Sequence, residues 1–233
     1  KQTPFGCNYA SPSQLDGGTV FIQHNGVIAR EFLYSDSEAA YTSQAISSLA
    51  PHLIKRPHDI SVLQGAINQS ESYIFTINDD GTISVFNSNR GEQRAAWTEF
   101  TSSISFKSLA VVDDRVFATG TFVDGDGANP YVLVELTADS NLDVSKTYSG
   151  TAGVFDVSAD FEDGITLSVV SGTNYYGDVV VASGEVDVSG IDATLTSAEI
   201  GIKFNVNLTT NPIDVRLSAG PLTGLPRTLG SVI

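Results

Sequence analysis

Apolar and polar residues alternate with a period of two over most of the chain. From Ile60 onward, short runs such as ISVLQGAI, SYIFTIN and TISVFNS follow one another, with turn residues between them. Successive side chains of a β-strand point to opposite faces, so this period is typical of strands with one buried face. The pattern therefore predicts an all-β protein built from many short hairpins.

The clearest hairpin signal lies near the start of the chain. In TVFIQHNGVIAREFLY, residues 19–34, two apolar runs meet at Asn25-Gly26. Asn-Gly favours a two-residue type I′ turn, because both central positions of that turn need a positive φ. The sequence therefore predicts paired strands over residues 19–24 and 27–34.

The period changes in the next segment, SDSEAAYTSQAISSLAPHLI, residues 35–54. Ser37 could cap a helix in which Ala40, Ile46 and Leu49 face a core, and Pro51 would end it or force an irregular turn. We therefore expect one short helix near residues 38–50.

The strands group into sets of about four. Such repeated sets of antiparallel strands are typical of the blades of a β-propeller, although a β-sandwich gives the same local spacing. The expected architecture is an incomplete propeller with a lead-in segment over residues 1–15 and blades over residues 16–150. Residues 151–233 would then form a second β-rich subdomain or further blades.

The charge of the chain argues against binding to nucleic acid. The 233 residues carry a net charge of −15. Residues 1–120 hold 8 Lys and Arg against 12 Asp and Glu, a net of −4, and residues 121–233 hold 4 against 15, a net of −11. Gripping nucleic acid by its phosphates requires clustered Lys and Arg, so a nucleic-acid-binding role is disfavoured.

Cysteine and methionine counts add two constraints. Cys7 is the single cysteine, which excludes an internal disulfide and a cysteine-based metal site. The chain contains no Met, so we interpret the sequence as part of a larger protein. It shows no signal peptide and no apolar run of membrane-spanning length.

Arg30 and Glu31 are adjacent within a predicted strand and are the candidate structural ion-pair residues. Their side chains should point to opposite faces, so they cannot act together on one substrate. We expect each to meet a partner from a neighbouring strand or loop, by cross-strand pairing or a hydrogen-bonded ion pair. A contact between subunits is the alternative.

Two aspartates are the best candidates for metal ligands. Asp124 and Asp126 lie two residues apart in the Gly-rich segment VDGDGANP, as in calcium-binding loops. The segment lacks a third oxygen ligand and a later Glu at the required spacing, so a hairpin tip is favoured. His24, His52 and His58 have no metal-ligand spacing either. We expect no metal site and no cofactor.

Candidate catalytic residues are equally weak. The sequence has no G-x-S-x-G motif for a serine nucleophile. The paired carboxylates at 79–80, 113–114 and 162–163 occupy turn positions, where Asp suits the backbone geometry. Trp97, in a closing strand, is expected to be a core aromatic. No residue is assigned a catalytic role, and we expect the protein not to be an enzyme.

The order of several segments resembles a known family. ASPSQL leads into TVFIQHNGVIAREFLY, and LAPHL, NDDGTISVF, AAWTEFT, FKSLAVV, VFATG, DGITLSVVSG, GEVDVSG and AEIGIKF follow in turn. This series is similar to the C-terminal half of the tail tubular protein B, or nozzle, family of short-tailed bacteriophages and related prophage proteins. The chain departs from the family pattern at two places. His24 stands where the family often has Arg, and Lys203-Phe204 stands where the family has Pro-Tyr.

The resemblance implies a structural protein of the virion. Members of the family have an incomplete or modified propeller and form a hexameric ring at the distal end of the tail. The genome passes through the ring's channel, and the outside contacts the adaptor ring and the tail fibres. The implied location is the distal tail of the virion, after synthesis in the host cytoplasm.

Two alternatives from other classes remain open. A carbohydrate- or receptor-binding propeller of a tail protein would group exposed aromatic side chains on one rim. A propeller-fold hydrolase would bring carboxylates together across a cleft.

Overall fold

The computed structural model describes residues 4–65, 71–89, 92, 94–122, 131–137, 139–204, 216–217 and 220–221. Its regular elements are antiparallel strands and one 3₁₀ turn, so the all-β prediction is confirmed. The strands are β1 Ser13–Leu15, β2 Gly18–Ile22, β3 Ala29–Ser35, β4 Ala40–Ala45, β5 Asp59–Leu63, β6 Ser72–Ile77, β7 Ile83–Asn89, β8 Arg94–Phe100, β9 Ile104–Val112, β10 Arg115–Phe122, β11 Tyr131–Leu136, β12 Val144–Ser149, β13 Val154–Asp156, β14 Thr166–Ser171, β15 Asn174–Val180, β16 Glu185–Asp187, β17 Ser197–Ile202, β18 Arg216–Leu217 and β19 Gly220–Pro221.

The first three sheets are each contiguous in sequence. The first sheet has the strand order β1-β2-β3-β4, and the second has β5-β6-β7-β8. The third sheet contains β9, β10 and β11, with β10 in the centre. Because neighbouring strands follow one another along the chain, each sheet is a simple antiparallel meander.

The predicted helix near residues 38–50 is wrong. Residues 40–45 form β4, which pairs with β3 from Ser35↔Ala40 to Arg30↔Ala45. The helical element in this part of the chain is a 3₁₀ turn at Pro51–Leu53, with Pro in its first turn. A short helix is marginal without tertiary packing, whereas the free edge of β3 offers a full ladder of hydrogen bonds.

The predicted two-residue turn at Asn25-Gly26 is also wrong. Of these two residues only Gly26 has a positive φ, at 75°. Gly26 N–H donates to the Gln23 carbonyl at 2.8 Å, and Gln23 N–H donates to the Ile28 carbonyl at 2.8 Å. The Arg56 N–H donates to the Gly26 carbonyl, also at 2.8 Å. This contact with the segment before β5 stabilises a longer loop between β2 and β3.

The three sheets stack face to face. Buried residues between the first and second sheets form one apolar cluster: Ala10, Leu15, Val20, Ile22, Ala29, Ile54, Ile60, Ile74 and Phe86. Buried residues between the second and third sheets form another: Ile77, Ile83, Ile104, Phe106, Leu109, Val116 and Ala118. The second sheet is therefore covered on both faces, and the first and third sheets are each covered on one.

The first strands of successive sheets are joined by equivalent hydrogen bonds. Ser13 Oγ on β1 donates to the Ile60 carbonyl on β5, at 3.3 Å and 47 positions apart in the chain. Ser61 Oγ on β5 donates to the Leu109 carbonyl on β9, at 3.1 Å and 48 positions apart. The two interfaces thus repeat one arrangement with nearly the same sequence offset.

A buried polar cluster secures the hairpin between β6 and β7. Asn78 Nδ2 donates to the Leu53 carbonyl at 3.1 Å and to Ser84 Oγ at 2.9 Å. Asn78 Oδ1 accepts the Lys55 N–H at 3.0 Å. Because a buried amide is costly without partners, these bonds fix the segment after the 3₁₀ turn against the second sheet.

The last third of the described chain has a different topology. Its main sheet has the order β12-β17-β14-β15, and β13 pairs separately with β16. One cluster of buried residues fills this unit: Tyr148, Phe155, Val157, Phe161, Leu167, Val169, Val181, Val186, Val188, Leu195, Ala198 and Ile200. Since β12 begins at Val144, the sheet of this unit includes residues on both sides of position 150.

Two similar segments form the pair β13 and β16. TAGVFDVS, residues 151–158, and ASGEVDVS, residues 182–189, each begin with a tight turn whose two central residues have positive φ values. The contacts between the segments are reciprocal: Val157 N–H donates to the Gly184 carbonyl, and Val188 N–H to the Gly153 carbonyl. This local two-fold arrangement was not anticipated from the sequence.

Candidate functional site

The first sheet presents an exposed aromatic surface on the side that faces away from the second sheet. Cross-strand partners share a face, and the register pairs Phe21 with Arg30 and Tyr34 with Tyr41. Alternation along β3 places Arg30, Phe32 and Tyr34 on that same face. We call this surface the outer aromatic face, and its members are Phe5, Phe21, Arg30, Phe32, Tyr34 and Tyr41.

The aromatic rings of this face are ordered against one another. Phe32 and Tyr41 stack with centroids 5.1 Å apart and an interplanar angle of 9°. Tyr34 meets Tyr41 edge-on, with centroids 5.2 Å apart. Tyr34 remains 48% exposed and Tyr41 45% exposed. Aromatic pairs of this kind add about 0.5–1.5 kcal/mol beyond area burial, so the rings form a pre-organised apolar patch.

Arg30 is buried beneath this patch. Its Nε donates to Gln23 Oε1 at 2.6 Å, and its Nη1 donates to the Ser43 carbonyl at 3.3 Å. The guanidinium carbon lies 3.4 Å from the centroid of the Phe5 ring. The partners of the guanidinium in these contacts are a side-chain amide, a backbone carbonyl and an aromatic ring. These contacts are hydrogen bonds and a cation–π contact, and none of them is an ion pair.

Glu31 lies on the opposite face of the same strand. It stands across from Val20 on β2 and Gln44 on β4. A Cβ added at Gly18 would lie 2.7 Å from a carboxylate oxygen of Glu31, so a residue without a side chain suits that position. The structure therefore does not bring Arg30 and Glu31 together as a functional pair.

Trp97 lies at the border of the cluster between the first two sheets. It is half-buried, and its ring centroid is 4.9 Å from that of Phe86. Its Nε1 donates to the Ile46 carbonyl at 2.8 Å. Trp97 is the one β8 residue that is half-buried, and this hydrogen bond ties the edge strand to the segment that follows β4.

The candidate metal ligands are not brought into a site. Asp124 and Asp126 lie outside the described residues. Within the described ranges, no group of three or more His, Cys, Asp or Glu side chains is arranged to hold a metal ion. His58 is placed by other contacts: its Nε2 lies 3.1 Å from the Lys107 carbonyl, and its Nδ1 lies 3.8 Å from an Asp79 oxygen.

The paired carboxylates at 79–80 and 113–114 lie in turns of the first three sheets and have local roles there. Asp113 and Asp114 both have positive φ values, 48° and 61°, and they form the tight turn between β9 and β10. Lys55 Nζ donates to Asp80 at 2.8 Å and also to Glu99. The hydrogen bonds to Asp80 and Glu99 raise the pKa of Lys55, so its charge is stabilised at neutral pH.

Two carboxylates of the last unit are held in their ionised form. Hydrogen bonds from Lys203, Ser168 and Tyr175, of which that from Lys203 contributes most, place the pKa of Asp178 far below its ordinary value. Burial opposes ionisation of Glu199, yet hydrogen bonds from three neighbouring residues outweigh it and lower its pKa. A general acid needs a raised pKa, so these environments do not suit acid catalysis.

An open depression lies beside the paired β13–β16 turns. Its volume is about 500 Å³, and Ser158, Phe161, Glu162, Asp163, Ser183 and Gly184 line it. The Asp163 carboxylate accepts the Gly184 N–H at 2.7 Å, which anchors the second turn. That carboxylate therefore has a local structural partner.

The outer aromatic face was missed by the sequence analysis. Phe32 and Tyr34 show the period-two signal, but Tyr41 was assigned to the predicted helix. Only a strand at residues 40–45 brings Tyr41 across from Tyr34. Residues 40–45, AYTSQA, show no alternation of apolar and polar residues, so the sequence carries no period-two signal for the third ring.

Comparison with known proteins finds no family model and no curated protein that matches the chain. Among the residues that the structure describes, no helix has the length and apolar character needed to cross a membrane.

Proposed function

We propose that the chain is a structural subunit of the tail nozzle of a short-tailed bacteriophage, and that copies assemble into a ring around the channel through which the genome is ejected. The observation that carries the proposal is the repeated stacking of meander sheets. It agrees with the incomplete propeller implied by the ordered series of segments that resembles the nozzle family.

The stacked sheets support a propeller-like arc. Propeller blades are antiparallel meanders whose first strands lie closest to one another. Here β1 contacts β5 and β5 contacts β9 through the serine hydrogen bonds at offsets of 47 and 48 residues. In the proposed reading, each of the three sheets is one blade, and the arc they form is open at both ends.

The charge of the chain is consistent with a conduit for DNA. Its 27 Asp and Glu exceed its 12 Lys and Arg, and the acidic excess is largest after residue 120. An acidic lining repels phosphates, so DNA would pass through without being retained. In this proposal, the outside of the ring contacts the adaptor ring and the tail fibres, in the distal tail of the virion.

A binding module is the second candidate, because the outer aromatic face groups exposed rings on one surface. Tyr34 and Tyr41 are accessible and could stack on sugar rings. A glycan array separates this candidate from the nozzle. Binding by the wild-type chain that is lost in Tyr41→Ala and kept in Tyr175→Ala, another exposed tyrosine, would favour the binding module.

Negative-stain electron microscopy of the full chain, over a series of rising concentrations, tests the nozzle proposal. We expect class averages with closed rings and a central channel. We also expect no retention of DNA in a filter-binding assay at physiological salt. Isolated particles at every concentration, or rings that bind DNA tightly, would contradict the proposal.

A further inference from the structure

The third sheet also has an exposed face among the residues that the structure describes. The register pairs Phe117 with Glu135, Thr119 with Leu133, and Thr121 with Tyr131. These residues lie opposite the face that packs on the second sheet. Tyr131 is 74% exposed and Leu133 is 72% exposed. We call this surface the third-sheet outer face, and its members are Arg115, Phe117, Thr119, Thr121, Tyr131, Leu133 and Glu135.

Each end face places an arginine beside an aromatic ring. On the third-sheet outer face, the exposed Arg115 forms an ion pair with Glu135, and its guanidinium carbon lies 5.0 Å from the centroid of the Phe117 ring. On the outer aromatic face, Arg30 lies over Phe5. Each end of the stack thus exposes large apolar side chains around an arginine, a composition that is enriched at the centres of protein interfaces.

The internal interfaces indicate what can cover such a face. Besides the serine bonds, Asn8 Nδ2 donates to the Pro57 carbonyl, and His58 Nε2 lies within hydrogen-bond distance of the Lys107 carbonyl. The two residues of each pair are 49 positions apart in the sequence. The interface between the first and second sheets and the interface between the second and third sheets therefore have a second equivalent contact, with the same sequence separation. In each interface, the face directed towards the following sheet meets the face directed towards the preceding sheet.

The end faces have these same two directions. The outer aromatic face is directed away from the following sheets, and the third-sheet outer face is directed away from the preceding ones. A contact between them continues the arrangement that the chain already makes twice. A contact between two identical end faces would not continue it, because both would have the same direction.

We propose that copies of this chain associate head to tail, with the outer aromatic face of one copy packed on the third-sheet outer face of the next. The proposal rests on the proposed ring and names the surfaces that build it. Such a contact is heterologous, so it generates a ring if the rotation closes and a filament if it does not.

Sedimentation velocity on the full chain tests the contact. One variant, Tyr34→Glu with Tyr41→Glu, alters the first end face, and another, Tyr131→Glu with Leu133→Glu, alters the second. Ile191→Glu is the matched control, because Ile191 is 67% exposed and belongs to neither face. We expect self-association to weaken at least about tenfold in each double variant and to be unchanged in the control.

Mixing the two double variants identifies the type of contact. Each retains one intact face, so an equimolar mixture should form a heterodimer that grows no further. The proposal is overturned if the wild type stays monomeric, if the mixture does not associate, or if only one double variant loses self-association. Circular dichroism and thermal melting verify that each variant is folded. If a double variant does not fold, the single change on the same face, Tyr41→Glu or Leu133→Glu, takes its place.

The contact and the ring can fail separately. Closed rings that persist in both double variants would overturn the head-to-tail contact and leave the nozzle proposal intact. Open filaments that both double variants abolish would support the contact and contradict the ring.

Discussion

The three stacked sheets and the unit that follows them bury the apolar faces of their β-sheets in different ways. In the stack, each sheet is built from consecutive strands and relies on a neighbouring sheet for its core. In the last unit, β12 and β14 both pair with β17, and one cluster is enclosed by strands distant in the sequence. The stack can be extended by a further sheet, whereas the last unit encloses one main core, against which Phe122 of β10 also packs.

This difference separates two roles within one chain. A repeated interface with uncovered ends is suited to assembly, because another copy can supply the missing sheet. A unit with one enclosed core gains nothing from such an addition. We therefore expect changes in the stack to alter both stability and assembly, and changes in the last unit to alter stability alone.

The largest expected effect comes from truncating a core phenylalanine in each region. Phe155 and Phe106 are both fully buried, in the last unit and between the second and third sheets respectively. Each change to alanine should lower the free energy of unfolding by about 3–5 kcal/mol, measured by urea denaturation. Hydrogen exchange should show lost protection in β14 and β17 for Phe155→Ala, and in β9 and β10 for Phe106→Ala. Loss of protection throughout the chain in both variants would show that the regions are not separate.

A smaller loss is expected from Asn78→Ala. The change removes the acceptor of the partly buried Lys55 N–H and the amide donor to the Leu53 carbonyl and to Ser84 Oγ. We expect a decrease in unfolding free energy of about 2–3 kcal/mol by urea denaturation. The control is Asn25→Ala in the exposed loop, where the Asn25 side chain accepts the Val27 N–H at 3.3 Å. Equal effects of the two changes would contradict the role given to Asn78.

Arg30→Ala should cost about 1–2 kcal/mol, because it removes hydrogen bonds to Gln23 and Ser43 and the contact with Phe5. Thermal unfolding monitored by circular dichroism measures the loss, and sedimentation should show weaker association as well. Arg115→Ala changes the exposed arginine of the other end face and should leave the melting temperature nearly unchanged. An Arg30→Ala protein that melts and assembles like the wild type would refute an architectural role for Arg30.

The smallest effect is a pH dependence centred on Glu199. Its pKa is lowered in the folded protein, so the stabilisation is present above the unfolded value of 4.5 and is lost as the pH falls through the folded value. Glu199→Gln should therefore cost about 1 kcal/mol near neutral pH, after allowance for solvent screening, and little in acid. Chemical denaturation across this range, with Glu38→Gln as an exposed control, measures it. A loss that does not vary with pH would refute the explanation.

The strands were predictable where local chemistry and pairing agree. Period-two patterns identified β6 and β7, and Asp113-Asp114 occupies a turn that its residue type favours. The predictions failed at residues 40–45 and at Asn25-Gly26, where pairing with another segment decided the local conformation. Residues 40–45 pair with the neighbouring edge of β3, and the Arg56 N–H, from the segment before β5, stabilises the loop around Gly26.

The candidate surface was less accessible from sequence than the strands. Its members come from three strands and the lead-in segment, and only the register shows that Phe21, Arg30 and Phe32 share a face with Tyr41. The same holds for the third-sheet outer face. The sequence around Leu133 predicts a strand, but only the structure shows that the Leu133 side chain is exposed. Alternation indicates that a strand has two faces but does not show which one remains uncovered.

Native mass spectrometry of the assembled wild-type chain tests the central claim, a closed ring of fixed copy number, most directly. With a subunit of 24.6 kDa, we expect one dominant oligomer at a fixed multiple of that mass, which disappears in the Tyr34→Glu, Tyr41→Glu variant. A spectrum containing only monomer, or a continuous ladder without a preferred oligomer, would contradict the claim.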